Sequence, residues 1–301
     1  MQSFIKPYVI LFSLIVLVSS CNSNEISSSA LIDERDYAEQ LIADDALLSE
    51  YLNTHFYNYE DFVDAGAEEI TIIIDTIAGD NAIKTPMIDQ IEKVTVPVTD
   101  SQGLVINHTL YYLLAKQGSR LDDKPSLVDS VYLTYRGTLL DGTVFDQRID
   151  SPTWFDNIGV ISGFRYGLQF FAPGTSSRNE DGTDSFMNKG QGILFMPSGI
   201  GYFSTAVGLL PAYAPLVFRI GVVTTKQNDH DNDGVLSVNE DPDGDGNPLN
   251  DDTDGDGLIN LNDIDDDGDG ILTNLELDVD EDGVIDDSDG DGIPDYLDSD
   301  S

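Results

Sequence analysis

The sequence predicts an α+β fold with an appended segment at each end, and three observations carry that prediction. Between residues 126 and 225, four or five alternating or apolar segments surround one short amphipathic stretch. The apolar fraction of the 301-residue chain is 40%, enough for a real core. The charge breaks sharply at residue 229. Of 56 acidic residues, 28 (25 Asp and 3 Glu) lie from Asp229 onward, where there is no Lys or Arg. A boundary is expected there, because 28 unneutralised carboxylates in so short a stretch would repel one another and stay unfolded. The formal net charge of -42 excludes nucleic-acid binding through the overall field and favours cations or basic partners.

The N-terminus reads as an address. Lys6 precedes the apolar run Val9 to Val18, and Leu17-Val18-Ser19-Ser20-Cys21 follows. A basic start, a short apolar run and a small-residue site fit a secretory signal over residues 1–20. The run is shorter than the roughly 20 residues a membrane span needs. Cys21 is the only cysteine, so no internal disulfide can form. This segment resembles the lipobox of bacterial lipoproteins. The resemblance implies lipidation at Cys21, a membrane anchor and a place in the cell envelope, with the outer membrane as the expected site. Residues 21–29 are polar and read as a tether.

Residues 30–125 read as a helical and extended lead-in. Ala30 to Tyr59 is helix-prone, with Leu31, Tyr37, Leu41, Leu47, Leu48 and Tyr51 at roughly helical spacing. Ile70 to Ile77 and Leu110 to Leu114 read as strands. His55 and His108 stand alone and are read as surface or packing residues.

Within 126–225, Val131 to Tyr135 alternates as a strand does, and Asp141-Gly142 is a turn signal ahead of Phe145-Asp146. Gly163 to Phe171 is a short helix with Phe164, Leu168 and Phe171 on one face. Ile193 to Met196 and Leu216 to Val223 complete the strands, and residues 175–191 read as a long loop. The run Val131-Tyr132-Leu133-Thr134-Tyr135-Arg136-Gly137, then Leu140-Asp141-Gly142-Thr143-Val144-Phe145-Asp146, is similar to the first motif of the FKBP-type peptidyl-prolyl isomerases. Val160-Ile161-Ser162-Gly163-Phe164, Leu194-Phe195-Met196-Pro197 with Gly201-Tyr202, and Gly208-Leu209-Leu210-Pro211 with Leu216-Val217-Phe218 resemble the later motifs in order. The resemblance implies a bent antiparallel sheet wrapped around the short helix. It also implies isomerisation of X–Pro bonds in proline-containing polypeptides, without a catalytic cofactor, in the service of folding exported proteins. It places a pocket among Tyr135, Phe145, a half-buried Asp146, Val160, Ile161, Phe164, Tyr202, Leu209 and Phe218, with Trp154 or Phe155 as a further wall. Phe164 stands where many members have tryptophan. A proline-binding chaperone without turnover, and a calcium-dependent adhesion or assembly protein, are the alternatives.

The tail, 229–301, repeats a spacing suited to a hard cation. Asp229, Asp231, Asp233, Gly234, Ser237 and Glu240 fit D-x-D-x-D-G-x-x-S-x-x-E, with ligands at positions 1, 3, 5, 9 and 12 and a glycine for the sharp turn. Position 7, occupied in successive copies by Val235, Leu258, Ile271, Val284 and Ile293, is expected to ligate through its carbonyl while its apolar side chain packs inward. The pattern returns at Asp252, Asp254, Asp256, Asn260 and Asp263, and again at Asp265, Asp267, Asp269, Thr273 and Glu276. Further copies are Asp278, Asp280, Asp282, Asp286 and Asp289, then Asp287, Asp289, Asp291, Asp295 and Asp298. Asp241, Asp243, Asp245 and Gly246 form a looser copy, broken by Pro248. The abutting copies resemble thrombospondin type 3 repeats, which implies structural Ca2+ in place of a hydrophobic core.

Overall fold

Strand alternation decides which side chains meet which layer. The computed structural model describes residues 35–301. The signal-like segment 1–20, Cys21 and the tether 21–29 lie outside the described residues. Helix α1 (Tyr37–Thr54) is started by Asp36, whose side chain accepts the Glu39 N–H at 3.0 Å. Its buried stripe is Gln40, Asp44, Leu48, Tyr51 and Leu52, so the inner face is polar in its first half. Leu47, read as part of that stripe, is exposed.

Strands β1 (His55–Tyr57) and β2 (Ile74–Thr76) form a small ribbon. The strand expected over Ile70 to Ile77 therefore contracts to three residues. Its upstream part is held differently: the Gln191 side chain accepts the Ile70 N–H at 3.1 Å and donates to the Ile70 carbonyl at 2.7 Å.

Six strands make the main sheet: β3 (Glu92–Thr99), β4 (Val105–Lys116), β5 (Ser130–Thr138), β6 (Val144–Asp156), β9 (Gly190–Met196) and β10 (Leu216–Lys226). Their spatial order is β3-β4-β9-β10-β5-β6, with every neighbouring pair antiparallel. β3 went unread in the sequence although Val94, Val96 and Val98 alternate toward the core; it is an edge strand, where Pro97 is tolerated. The boundary expected at 125/126 cuts through this sheet, since β4 pairs with β9 and carries β3 on its other edge. Helix α2 (Ser162–Leu168) lies on one face. Strands β7 (Thr175–Arg178) and β8 (Asp184–Met187) form a hairpin inside the segment expected to be a loop.

Both faces of the sheet are covered. Leu194, Met196, Leu216, Phe218, Ile220, Leu133 and Tyr135 pack with Phe164 and Leu168 on the α2 side. Ile193, Phe195, Val217, Tyr111 and Leu113 pack with Leu48, Tyr51 and Leu52 of α1 on the other. That double burial explains why β9 is apolar at consecutive positions, and it gives the lead-in a structural role.

The tail contains single-turn 310 segments (Asn260–Asn262, Thr273–Leu275, Asp295–Leu297) and no α-helix. Leu261, Val238, Leu249 and Ile259 pack against Leu127, Val128 and Tyr166. His230 adds an ion-pair contact with Asp156 at 3.2 Å.

Candidate functional site

The hollow on the α2 side is built from rings whose positions the strands dictate. Phe164 and Phe218 meet edge to face at 5.1 Å, and each lies 6.3 Å from the Tyr135 ring. These three form a buried floor. Phe145 stands nearly perpendicular to Phe218 at 5.5 Å, and Phe155 lies 5.5 Å from Tyr135. Such offset and edge-on pairs suit the aromatic quadrupole. Gly137 permits the approach of Phe145 and Phe218, because a Cβ there would stand 2.6 Å from one ring and 2.8 Å from the other. Phe145, Phe155, Val160, Ile161 and Tyr202 remain partly exposed around the floor.

Most of the expected site residues converge here, with three adjustments. Leu209 is 69% exposed and turned away, while its neighbour Leu210 is buried in the cluster. The Val207–Leu210 bridge turns the chain between them, so one position of slip exchanges inside for outside. Of the two candidate walls, Phe155 meets Phe164 in the cluster, whereas Trp154 packs against Tyr132, which in turn meets Phe186. Asp146 is exposed rather than half-buried, yet it is held: the Tyr135 hydroxyl donates to its Oδ2 at 2.6 Å. Burial, then that hydrogen bond, raises the Tyr135 phenol well above its ordinary value. Burial likewise raises Tyr202, with the Asp146 charge adding to it. Both hydroxyls are therefore neutral donors at physiological pH.

Elements outside the hollow hold it in place. Arg165 donates to the Asn157 and Ile158 carbonyls, each at 2.8 Å, and so fixes the turn that carries Val160 and Ile161. The turn Ser198–Ile200 leads into Tyr202. Its Ser198 N–H and hydroxyl donate to Asp44 Oδ2 of α1 at 2.7 and 2.6 Å, while Gln40 Nε2 donates to Oδ1 at 2.7 Å. Beside them His108 is buried, and burial holds its imidazole below the ordinary value, partly offset by Asp44. No motif pointed to Asp44; a carboxylate in an amphipathic helix carries no sequence signal of its partner.

The acidic tail forms a second constellation. Position 1 accepts from the glycine N–H at position 6, as Asp229 does from Gly234 at 3.3 Å and Asp252 from Gly257 at 3.1 Å. Position 5 accepts from the position 7 N–H, as Asp233 does from Val235 at 2.8 Å and Asp291 from Ile293 at 2.8 Å. The sixth-position glycines need their freedom: Gly234 and Gly257 have φ of 107° and 100°. Oxygens of Asp229, Asp231 and Asp233 lie within 4.8 Å of one another, as do those of Asp252, Asp254 and Asp256 and of Asp265, Asp267 and Asp269. The loops of Asp278–Asp282 and Asp287–Asp291 repeat the same amide contacts.

Three expectations about these loops change. The ninth-position groups turn to the amide at position 2: Ser237 accepts from His230, Asn260 from Thr253, Thr273 from Asp266, Asp286 from Val279 and Asp295 from Ser288. Closing the loop satisfies the second-position N–H, which explains why a polar residue recurs there. At position 7 only Val235 is buried; Leu258, Ile271, Val284 and Ile293 are exposed. Finally, residues outside the expected ligand sets join them. Asp266 comes within 4.8 Å of Asp233 and Glu240, and Asp251 does the same with Asp241 and Asp243.

The fit to a hard cation rests on buried acceptors without donors. Both carboxylate oxygens of Glu240 and of Asp266, and one of Asp233, are buried with no hydrogen-bond partner. Burial and the neighbouring carboxylates push Glu240 up to about 9 and Asp266 to about 8. Oxygen-only donors of this kind suit calcium.

Against this geometry the chain aligns with FkpA of Aeromonas hydrophila, an FKBP-type peptidyl-prolyl cis-trans isomerase, at 31% identity over 126 residues, 41% of each chain. Over the matched residues the chain is similar to FKBP-type peptidyl-prolyl isomerases. It is also 29% identical over 107 residues to the outer membrane protein MIP of Legionella longbeachae, covering 35% of this chain and 40% of that one. The chain thus spans less than half the length of these curated relatives. A peptidyl-prolyl isomerase structure from Pseudomonas syringae pv. tomato matches at 26% identity and a TM-score of 0.32, over 44% of this chain and 81% of that one. Residues 230–285, within the acidic tail, match the family model described as BamM C-terminal.

Proposed function

We propose that the FKBP-type region is a peptidyl-prolyl cis-trans isomerase acting on proline-containing segments of exported proteins. The aromatic cluster on the α2 side, with Tyr135, Phe164 and Phe218 buried beneath partly exposed Phe145, Phe155 and Tyr202, is the observation that carries this reading. Rotation about an X–Pro bond is opposed by amide resonance, with a barrier of about 20 kcal/mol. The twisted transition state has lost that resonance and is less polar than the planar amide. An apolar ring-lined surface therefore binds it better than the solvated ground state, which is differential binding. Tyr202 supplies a neutral donor for a substrate carbonyl. The Tyr135–Asp146 bond holds a carboxylate at the rim, where it orients the peptide.

A proline-peptide isomerisation assay tests this. Phe145→Ala is expected to lower kcat/KM at least about tenfold, or about 1.4 kcal/mol of transition-state stabilisation, and Tyr202→Phe by less. Because Phe145 is only partly buried, its variant is expected to melt close to the parent. A parent chain that binds proline peptides but does not speed isomerisation would support a chaperone instead.

The same proposal gives the tail structural calcium. Asp229, Asp231 and Asp233, closed by Glu240 and Asp266, would hold one ion; Asp252, Asp254 and Asp256 another; Asp265, Asp267 and Asp269, with Glu276, a third. The ion would supply charge neutralisation, and the loop amides bonded to the carboxylates would keep the ligands aimed. A lipid on Cys21 would anchor the chain in the envelope. The lipobox-like sequence supports this, and among the described residues no helix is long and apolar enough to cross a membrane. Mass spectrometry of the membrane-extracted chain is expected to find acylated Cys21; an unmodified thiol would remove the anchor.

A further inference from the structure

Two arginines sit side by side on the sheet, and among the described residues no carboxylate pairs with either. Arg136 of β5 and Arg219 of β10 are direct partners in the antiparallel register. Like charges in that position are destabilising. Neither Nε has a hydrogen-bond partner, and neither guanidinium enters an ion pair among the described residues. Burial lowers the Arg219 value and the Arg136 charge lowers it further, with Tyr51 opposing.

The pair belongs to the face opposite the aromatic hollow and lines a cavity of about 340 Å³. The buried side chains of Thr134 and Gln191 lie at its base, and Ile70 and Ile149 contribute apolar walls. The cavity exists because β6 departs from β5: Leu133 pairs with Thr153 but Tyr135 pairs with Arg148, so residues 149–152 bulge away beside Arg136. Gln191 holds the opposite wall through its two bonds to Ile70. Two carboxylates, Glu69 and Asp150, stand exposed at the edge. Glu69 accepts from Lys189 at 2.7 Å through Oε2 and from the Thr134 hydroxyl at 3.5 Å through Oε1, and among the described residues neither carboxylate pairs with Arg136 or Arg219.

We propose that Arg136 and Arg219 form an oxyanion site that takes a carboxylate or phosphate group carried by a small, partly apolar ligand. Two guanidinium forks match the paired oxygens of either group, and arginine is preferred over lysine for such bidentate contacts. An anion between them turns the unfavourable like-charge pair into a favourable triad. The isoleucine walls accept a short hydrocarbon portion. The site is independent of the isomerase reading, because it uses the other face of the sheet.

Calorimetric titration of the full chain with sulfate (a tetrahedral probe that tolerates calcium) and with acetate (a planar one) tests the site, with chloride at matched ionic strength as reference. Saturable binding of at least one probe is expected. Arg219→Gln is expected to weaken it at least tenfold while leaving the anion-free melting temperature equal to or above that of the parent, since it relieves repulsion. Arg136→Lys, which keeps the charge but loses the fork, is expected to weaken binding severalfold and covers the case in which the glutamine variant does not fold. Preference for sulfate would point to a phosphorylated ligand, and preference for acetate to a carboxylate. Responses no different from chloride would overturn the proposal. So would unchanged affinity in the variants, or an Arg219→Gln chain that folds but melts well below the parent.

Discussion

Asp44→Ala is expected to destabilise the chain by about 2–4 kcal/mol, because it orphans three donors in a buried place. Asp44 is fully buried and lies 154 residues from its partner Ser198 in sequence. It accepts from the Ser198 N–H, the Ser198 hydroxyl and the Gln40 amide, an all-donor surrounding that suits an acceptor-only carboxylate. Asn at this position would face one of those donors with its own NH2, so Asp44→Asn is expected to cost about half as much rather than nothing. Urea unfolding measures both. Because the Ser198–Ile200 turn leads into Tyr202, a second effect is expected: the alanine variant loses kcat/KM on proline peptides even where it remains folded. An Asp44→Ala chain that unfolds at the parent's urea midpoint would mean that the α1 contact is incidental.

Removal of calcium is expected to loosen residues 229–301 while leaving the sheet intact. The tail has 28 acids and no Lys or Arg, and both buried carboxylate oxygens of Glu240 and of Asp266 lack donors. For dissociation constants of about 10⁻⁴–10⁻³ M, usual in extracellular modules, about 10 mM calcium adds roughly 1.4–2.7 kcal/mol per site. Chelation is therefore expected to expand the chain in small-angle scattering and to lower the melting temperature by an amount that grows with the number of filled sites. Asp266→Asn is expected to weaken one site and leave the others. It would also loosen the first loop from the third, since Asp266 reaches Asp233 and Glu240 from another repeat. Identical scattering with and without millimolar calcium would sink the calcium reading.

Part of this was legible without coordinates. Val131 to Tyr135, Ile193 to Met196 and Leu216 to Val223 declared themselves as strands by alternation or continuous apolarity, and Asp141-Gly142 as a turn. The calcium-like spacing was equally plain, because aspartates that bond amides two and five residues ahead need fixed offsets and a left-handed glycine. Edge strand β3 and the β7–β8 hairpin went unread. β3 does carry the alternation of Val94, Val96 and Val98, while the hairpin is mostly polar and its pairing rests on neighbours that no local pattern reveals.

Local chemistry, then, determined the central strands and the acidic loops, since each depends on residues a few positions apart, while the aromatic set was named only through the resemblance of ordered motifs. Tertiary structure alone decided that Asp44 holds the turn before Tyr202, that Leu210 rather than Leu209 enters the core, that Asp266 completes another repeat's cluster, and that Arg136 and Arg219 stand opposed. Those facts depend on register and on contacts between segments far apart in the chain. A sequence specifies such contacts only through the energy of the whole fold, not through any local signal.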